Sequence, residues 1–360
     1  MLPLLGEIFG NPSSVHHVGR RATAFLDDAR ERAALVLSCK PSEIVFTSGG
    51  TESNNLAIFG VARLLRDKGR HLITSAVEHH AVLNCFHSLQ RNEGFELTCL
   101  PVDSEGRVSP DDLRRAIRDD TVLVSIMAAN NETGTLQPVP ELGSICRNRG
   151  VVFHTDAVQW FGKQAFSGVD QFNADLVSIC AHKFHGPKGI GALFVKSPLR
   201  PLPILFGGAH ENERRAGTEN LAAIAGLVAA LQRFVETPVF PREFLLKLTT
   251  LLASHLSALE GVTLLSSRSE RLSNTVSFTV SDSDSIALLA ALDLHGICAS
   301  SGSACSSGAL NPSHVLLAMG VAAPLANSLV RFSLGRDSSL ADVNSVTAIL
   351  PDVIKRVRSS

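Results

Sequence analysis

At 360 residues, 45% of them hydrophobic and 19% charged, the chain is too long for one small core and suits one large or two medium domains. A formal net charge of -1 excludes the broad basic face that a nucleic-acid partner calls for. The cysteines number seven, at irregular spacing and with no Cys-x-x-Cys pair; this excludes a disulfide framework and a zinc site and points to a reducing compartment.

In chain order, Met1-Leu2-Pro3-Leu4-Leu5-Gly6-Glu7 lacks a basic stretch and a long apolar run, so no secretion signal is read there and a cytoplasmic location is expected. From about residue 41 to 195, short β-branched runs alternate with helical stretches. The runs are Ile44-Val45-Phe46-Thr47, Leu72-Ile73-Thr74, Val122-Leu123-Val124-Ser125-Ile126, Val151-Val152-Phe153, Leu176-Val177-Ser178-Ile179 and Ala192-Leu193-Phe194-Val195; helices are expected over 54–66 and 110–118. Runs this short and apolar on both faces read as strands covered on both sides. The pattern predicts an α/β domain with a mostly parallel sheet between helices. An apolar helix follows over 221–235, but its richest part runs straight into Gln232 and Arg233 and is too short to span a membrane. Pro238 and Pro241 then mark a boundary between a large domain over 1–236 and a smaller α+β domain over 237–360, with strands over 275–280 and 329–334.

In open α/β sheets, ligands sit beyond the carboxyl ends of the strands, so the residues there carry the chemistry. After the first run, Ser48-Gly49-Gly50-Thr51-Glu52-Ser53-Asn54-Asn55 reads either as a capped turn or as an anion site at a helix N-terminus. Asp156, in His154-Thr155-Asp156-Ala157-Val158-Gln159, suits a helix cap, a metal ligand or a partner for a ring nitrogen. Lys183 lies in Cys180-Ala181-His182-Lys183-Phe184-His185-Gly186-Pro187-Lys188-Gly189. It is either a surface-loop lysine or a desolvated amine able to form a Schiff base, with Lys188 as the nearby competitor. A phosphate cup, a carboxylate and an amine together match what pyridoxal 5′-phosphate requires. Farther along, Cys305 stands in Ser300-Ser301-Gly302-Ser303-Ala304-Cys305-Ser306-Ser307-Gly308, with nothing around it to bury, as an accessible nucleophile would. The other six cysteines, Cys298 included, read as packing residues.

These motifs resemble those of the cysteine desulfurases, class V aminotransferase-like members of the fold-type I pyridoxal-phosphate-dependent transferases. The segment 46–55 is similar to the family's phosphate cup, which implies cofactor contacts at Gly50 and Thr51. Glu78-His79-His80-Ala81-Val82 resembles the segment whose first histidine stacks on the cofactor ring; that points to His79, with His80 as the competitor. Asn130-Asn131-Glu132-Thr133-Gly134 is similar to the family's Asn-Asn-Glu motif, which implies that Asn131 lies near ring and substrate. By the same resemblance Asp156 partners the pyridinium nitrogen, Gln159 offers its amide to the ring oxygen, Cys180 and His182 flank the cofactor, and Lys183 forms the Schiff base. Glu213-Arg214-Arg215-Ala216-Gly217-Thr218-Glu219-Asn220 resembles a segment that crosses a dimer interface, so Thr218 is expected at the partner's cofactor and a homodimer is implied. The 300–308 stretch is similar to the sulfur-transfer loop of the long-loop subgroup, with Cys305 as its thiol. Val330-Arg331-Phe332-Ser333-Leu334-Gly335-Arg336 carries the arginine, Arg331, expected to clamp the substrate carboxylate.

The resemblance runs from about Phe9 to the end and implies conversion of L-cysteine to L-alanine, with sulfur passed as a persulfide to an iron–sulfur scaffold or a thiolation enzyme. A selenocysteine lyase, or a catalytically weakened relative serving as a sulfur-transfer partner, shares the same motifs. Two departures stand out. The strand and small-residue segment with which the family begins has no counterpart ahead of Phe9-Gly10-Asn11-Pro12, which is expected to weaken activity; a mis-assigned start is the simplest explanation. Cys180 stands where many relatives have a serine donating to the cofactor phosphate, and a thiol is the weaker donor.

Overall fold

The computed structural model describes residues 1–235, 237–302 and 312–358, which fall into two compact units. The larger comprises Met1–Leu100, Pro110–Ala128 and Pro138–Val239; the second takes in Pro101–Ser109 and Ala129–Gln137 together with everything from Phe240 onward. A boundary read along the chain does not reveal those two excursions, because each is a short loop bracketed by strands of the larger unit.

In the larger unit seven strands form one sheet: β1 (Ile44–Thr47), β2 (His71–Ser75), β3 (Glu96–Leu100), β4 (Thr121–Ser125), β5 (Val152–Asp156), β6 (Leu176–Cys180) and β7 (Gly191–Val195), in the order β1-β7-β6-β5-β4-β2-β3. β7 runs antiparallel to both neighbours, β1 and β6, and all other pairs are parallel. Six strands therefore share one direction and end on one edge. β1, β2, β4, β6 and β7 are buried throughout, as their two-faced apolar runs predict. β3 escapes that reading: it is an edge strand, and Glu96 and Cys99 are exposed.

The helix Gly50–Leu64 packs Leu56, Ile58, Val61 and Ala62 against Val45, Leu72, Leu123 and Leu193 of the sheet, and Val82, Phe86 and Leu89 of the helix His80–Glu93 join the same cluster. Each such valine, leucine, isoleucine or phenylalanine contributes about 1.5–3 kcal/mol on burial. Polar rungs cross the sheet as well. His154 is fully buried, its Nδ1 2.8 Å from Ser125 Oγ and its Nε2 2.9 Å from Ser178 Oγ, so one imidazole links β4, β5 and β6. Burial pushes its pKa down to about 3.

The second unit has a three-stranded antiparallel sheet, in the order β10-β9-β8, of β8 (Val262–Leu264), β9 (Thr275–Val280) and β10 (Val330–Ser333). The helices Arg242–Ser257, Ser285–Asp293 and Leu340–Arg358 accompany it. β8, short and half-exposed, carries no two-faced apolar run and is invisible to the pattern that finds β9 and β10. The excursion 129–137 joins this unit by main-chain bonds from Leu136 N–H to Glu270 and from Leu272 N–H to Gly134. Among the described residues, no helix is long and apolar enough to cross a membrane.

Candidate active site

The larger unit gathers its chemistry on the edge where β1, β2, β5 and β6 end. After β1, the chain turns through Ser48 and Gly49 into a 15-residue helix that begins at Gly50. A Cβ on Gly50 would lie 2.7 Å from Val158 Cγ2, and one on Gly191 would lie 2.8 Å from Gly49 Cα, so the turn lies flat against β6 and β7 only because these residues have no side chain. Thr51, next in line, is exposed at the helix start. Glu52 reaches back to Ser48 N–H (2.7 Å) and forms an ion pair with Arg215 (2.7 Å). Burial pushes the Glu52 carboxyl up, but the hydrogen bonds from Arg215 and Ser48 outweigh it and hold the pKa below its usual range.

β6 ends at Cys180 and passes into the helical turn Ala181–Phe184, which bears Lys183. Cys180 is buried, with its sulfur 3.0 Å from His182 Nδ1. Burial raises the thiol's pKa; the N–H groups of Gly50 and His182 and the charge of Lys183 only partly offset this, and Asp156 adds to it. The group is therefore a neutral thiol. Burial of the His182 ring, then the charges of Lys183, Lys188 and Lys163, push that imidazole down. Lys183 itself is half-buried rather than enclosed as the desolvation argument expects, and Lys188 is exposed.

Asp156 closes β5 and is only 6% exposed. Its Oδ2 accepts from Asn54 Nδ2 at 2.7 Å and its Oδ1 from Val158 N–H at 3.0 Å, which fixes the carboxylate and leaves lone pairs for a further donor. Neighbouring Gln159 is half-buried and receives Lys163 Nζ on its Oε1 at 2.6 Å. Beyond β2, the structure separates the two adjacent histidines. His79 is the N-cap of the helix His80–Glu93, its Nδ1 accepting from Ala81 N–H at 3.0 Å, so the ring is fixed with any proton on Nε2; His80 is already inside the helix. Just before them lies Glu78, fully buried and missed by motif reading. It accepts from Ser75 Oγ (2.6 Å) and Met127 N–H (2.9 Å), tying the ends of β2 and β4, and burial pushes its pKa up to about 8. An acidic residue closing the run Ser75-Ala76-Val77 was the available signal. Thr218 is exposed, on a segment that Arg215 ties to Glu52 of the same chain.

The second unit builds a separate cluster. Asn130 Oδ1 accepts from the N–H groups of Glu132 (2.8 Å) and Thr133 (2.9 Å), a tight turn that presents Asn131 half-buried at its tip. Arg331 donates from Nη1 to the Asn131 carbonyl, while its buried Nε has no partner among the described residues. Burial lowers the guanidinium's pKa and the Glu132 carboxylate works against that. Arg331 also exchanges main-chain bonds with Ser300 (2.7 and 3.1 Å). Cys305 lies outside the described residues. Of the remaining cysteines, Cys85, Cys146 and Cys180 are buried, but Cys99 and Cys298 are exposed, against the expectation that all six pack inside. Cys99 sits on the edge strand β3, and Cys298 on an irregular stretch just after the helix Ser285–Asp293.

The aminotransferase class-V family model matches residues 1–346. Across 360 residues the chain is 46% identical to the cysteine desulfurase IscS of Dictyoglomus turgidum, covering 100% of this chain and 91% of that one. It is likewise 46% identical over 359 residues to the IscS of Methanosarcina thermophila, covering 100% and 88%. The chain belongs to the cysteine desulfurase family. Solved structures agree: a NifS-like protein superposes with a TM-score of 0.90 at 34% identity, covering 99% of this chain and 94% of that one. A second, SspA in complex with cysteine, gives 0.81 at 35% identity over 94% of each. Desulfurases of this family are fold-type I enzymes that use pyridoxal 5′-phosphate, and the strand-end edge fits that group. A helix N-terminus with a glycine floor suits a phosphate, an oriented buried carboxylate suits a pyridinium nitrogen, and a half-buried lysine follows β6, where Cys180 feels both its charge and that of the carboxylate.

Proposed function

We propose that the chain removes sulfur from L-cysteine, releases L-alanine and carries the sulfur on Cys305 as a persulfide. The observation that carries this reading is the shared strand-end edge of Lys183, Asp156 and the Gly50 helix start, joined through Cys180, whose thiol feels both Lys183 and Asp156. Pyridoxal 5′-phosphate, when bound, supplies a carbonyl for the substrate amine and a ring that accepts electrons from the substrate's α-carbon. Gly50, Thr51, Cys180 and His182 would hold its phosphate, Asp156 its ring nitrogen, Gln159 its ring oxygen, and His79 its ring face.

The substrate's carboxylate goes to Arg331, whose buried Nε needs an acceptor, with Asn131 beside it. Lys183 Nζ takes the proton at the substrate's α-carbon. The Cys305 thiolate then attacks the substrate sulfur: the new S–S bond forms as the C–S bond breaks, the β-carbon left behind takes up a proton, and Lys183 returns a proton to the α-carbon to give alanine. No outside oxidant is required, because forming the S–S bond oxidises sulfur by two electrons and the C–S electron pair, left on the substrate carbon and captured by a proton, reduces that carbon by two. Relatives named as desulfurases and the cysteine complex of SspA support L-cysteine as substrate. A homodimer with Thr218 at the partner's cofactor, an iron–sulfur scaffold or thiolation enzyme as acceptor, and a cytoplasmic location complete the reading.

The test is alanine release from cysteine with a persulfide-trapping reagent, comparing the native chain with Cys305→Ser at equal cofactor content. The variant is expected to lose nearly all alanine formation from cysteine while staying yellow. It should keep much of its activity on selenocysteine, whose selenol departs with less help. Full activity on cysteine would remove Cys305 from the mechanism.

A further inference from the structure

Lys163 is only 5% exposed, and its ammonium meets the Gln159 residue twice: Nζ lies 2.6 Å from Gln159 Oε1 and 3.3 Å from the Gln159 carbonyl. An ammonium has donors and no acceptor, whereas a glutamine amide has an acceptor end and a donor end that are almost the same shape. The atom that meets Nζ must therefore be the oxygen, and the Nε2 hydrogens are turned to the opposite side. Left alone, the amide would present either end.

The turn that creates this contact is tightly specified. Trp160 N–H bonds back to Ala157 and Lys163 N–H to Trp160. Gly162 has φ +74°, and a Cβ there would lie 2.5 Å from Phe184 Cβ. Phe161, fully buried, packs at 4.9 Å from Phe166 and 6.2 Å from Phe184 between ring centroids. Phe184 immediately follows Lys183, so the turn bearing Gln159 and Lys163 is clamped to the one bearing the Schiff-base lysine. The charge of Lys163 is also felt by the His182 imidazole, which places it within electrostatic reach of the same edge.

We propose that Lys163 is a positioning residue that holds the Gln159 amide with its N–H end toward the bound cofactor's ring oxygen; this rests on the reading of Gln159 as the ring-oxygen partner. The direction matters because an N–H stabilises an oxyanion, while a flipped amide would set one oxygen lone pair against another. Loss of Lys163 thus favours the protonated form of the group that the cofactor's ring oxygen shares.

The experiment follows the pH midpoint of the visible absorbance of the holoenzyme's bound cofactor, together with the cofactor dissociation constant, in Lys163→Met, Lys163→Arg, Gln159→Ala and the Lys163→Met/Gln159→Ala double variant. Lys163→Met is expected to raise the midpoint by about 1 unit and weaken retention, with Lys163→Arg restoring both. The double variant should shift no further than Gln159→Ala alone, since Lys163 acts through that amide. If the methionine variant does not fold, Lys163→Gln replaces it, with a smaller rise in the same direction because its amide offers either end. A shift in Gln159→Ala with none in Lys163→Met overturns the positioning role and leaves the reading of Gln159 standing. Additive shifts in the double variant overturn it too, since Lys163 would then act by its own charge. An unmoved midpoint in Gln159→Ala sinks the reading of Gln159 itself.

Discussion

At the edge of the seven-stranded sheet, Asp156, Cys180 and Lys183 each sit at or just past a strand end, and main-chain hydrogen bonds fix the backbone before any side chain is placed. In the second unit, Arg331 is a strand residue held by contacts with Asn131, 200 residues away in sequence, and by main-chain bonds to Ser300. The first region also settles its charges locally: Asp156 receives two donors and Glu52 receives Arg215. The second leaves a buried guanidinium whose Nε has no partner among the described residues. Under the proposed function the difference has a reason: one region is prepared to hold a group permanently, the other for something that comes and goes.

The sharpest break in that contrast is Lys183→Ala. Activity should fall by at least about 10²–10⁴-fold, since a positioned base is lost along with the covalent hold. Borohydride treatment followed by peptide mass mapping should find no cofactor fixed to the variant; a label appearing on Lys188 would reassign the lysine. Next comes Arg331→Ala, expected to cost about 2–5 kcal/mol in kcat/KM, seen mainly as a raised KM, with cofactor content unchanged. Loss of cofactor in this variant would erase the distinction between a resident group and a passing one.

A third measurement turns on pH and concerns the sheet edge alone. Glu78 has a pKa raised from 4.5 to about 8, so the stability linked to its proton is complete below pH 4.5 and is lost as pH rises toward 8. His154, lowered from 6.5 to about 3, works in the opposite sense: its contribution is complete above pH 6.5 and is lost as pH falls toward 3. Thermal midpoints recorded across this range should therefore decline on both sides, and Glu78→Gln should flatten the alkaline decline only. An identical alkaline limb in the variant would show that another group titrates there. The smallest effect is expected for Cys180→Ser. A hydroxyl donates better than a thiol, so the cofactor dissociation constant should fall by about 2–10-fold in equilibrium dialysis.

The two regions also differ in how much of them the chain reveals. β1, β2, β4, β5, β6 and β7 stand out as runs apolar on both faces because they are buried on both, and the polar residues that follow them are where ligands gather. The motif around Lys183 is legible for that reason. β3 and β8 are not, since an edge strand needs no two-faced apolar pattern. Glu78 was passed over because its meaning lies in Ser75 and Met127, and only folding brings Met127 beside it. Lys163 was passed over because a lysine in a turn looks solvated until Gly162 is seen pressed on Phe184. Asn131 and Arg331 were found by resemblance, and nothing in local pattern joins them.

The discontinuity of the second unit has a consequence for synthesis. Its β9 depends on Ser277 donating to the Glu132 carbonyl, 145 residues earlier, and Leu272 bonds to Gly134 in the same excursion. When the ribosome has made residues 129–137, the strands they belong with do not yet exist, so their bonds to Glu270, Leu272 and Ser277 must wait for more than a third of the chain to emerge. A fragment beginning at residue 240 lacks it altogether and leaves those main-chain groups unsatisfied. The C-terminal third is thus a compact body in space that no continuous stretch of messenger encodes.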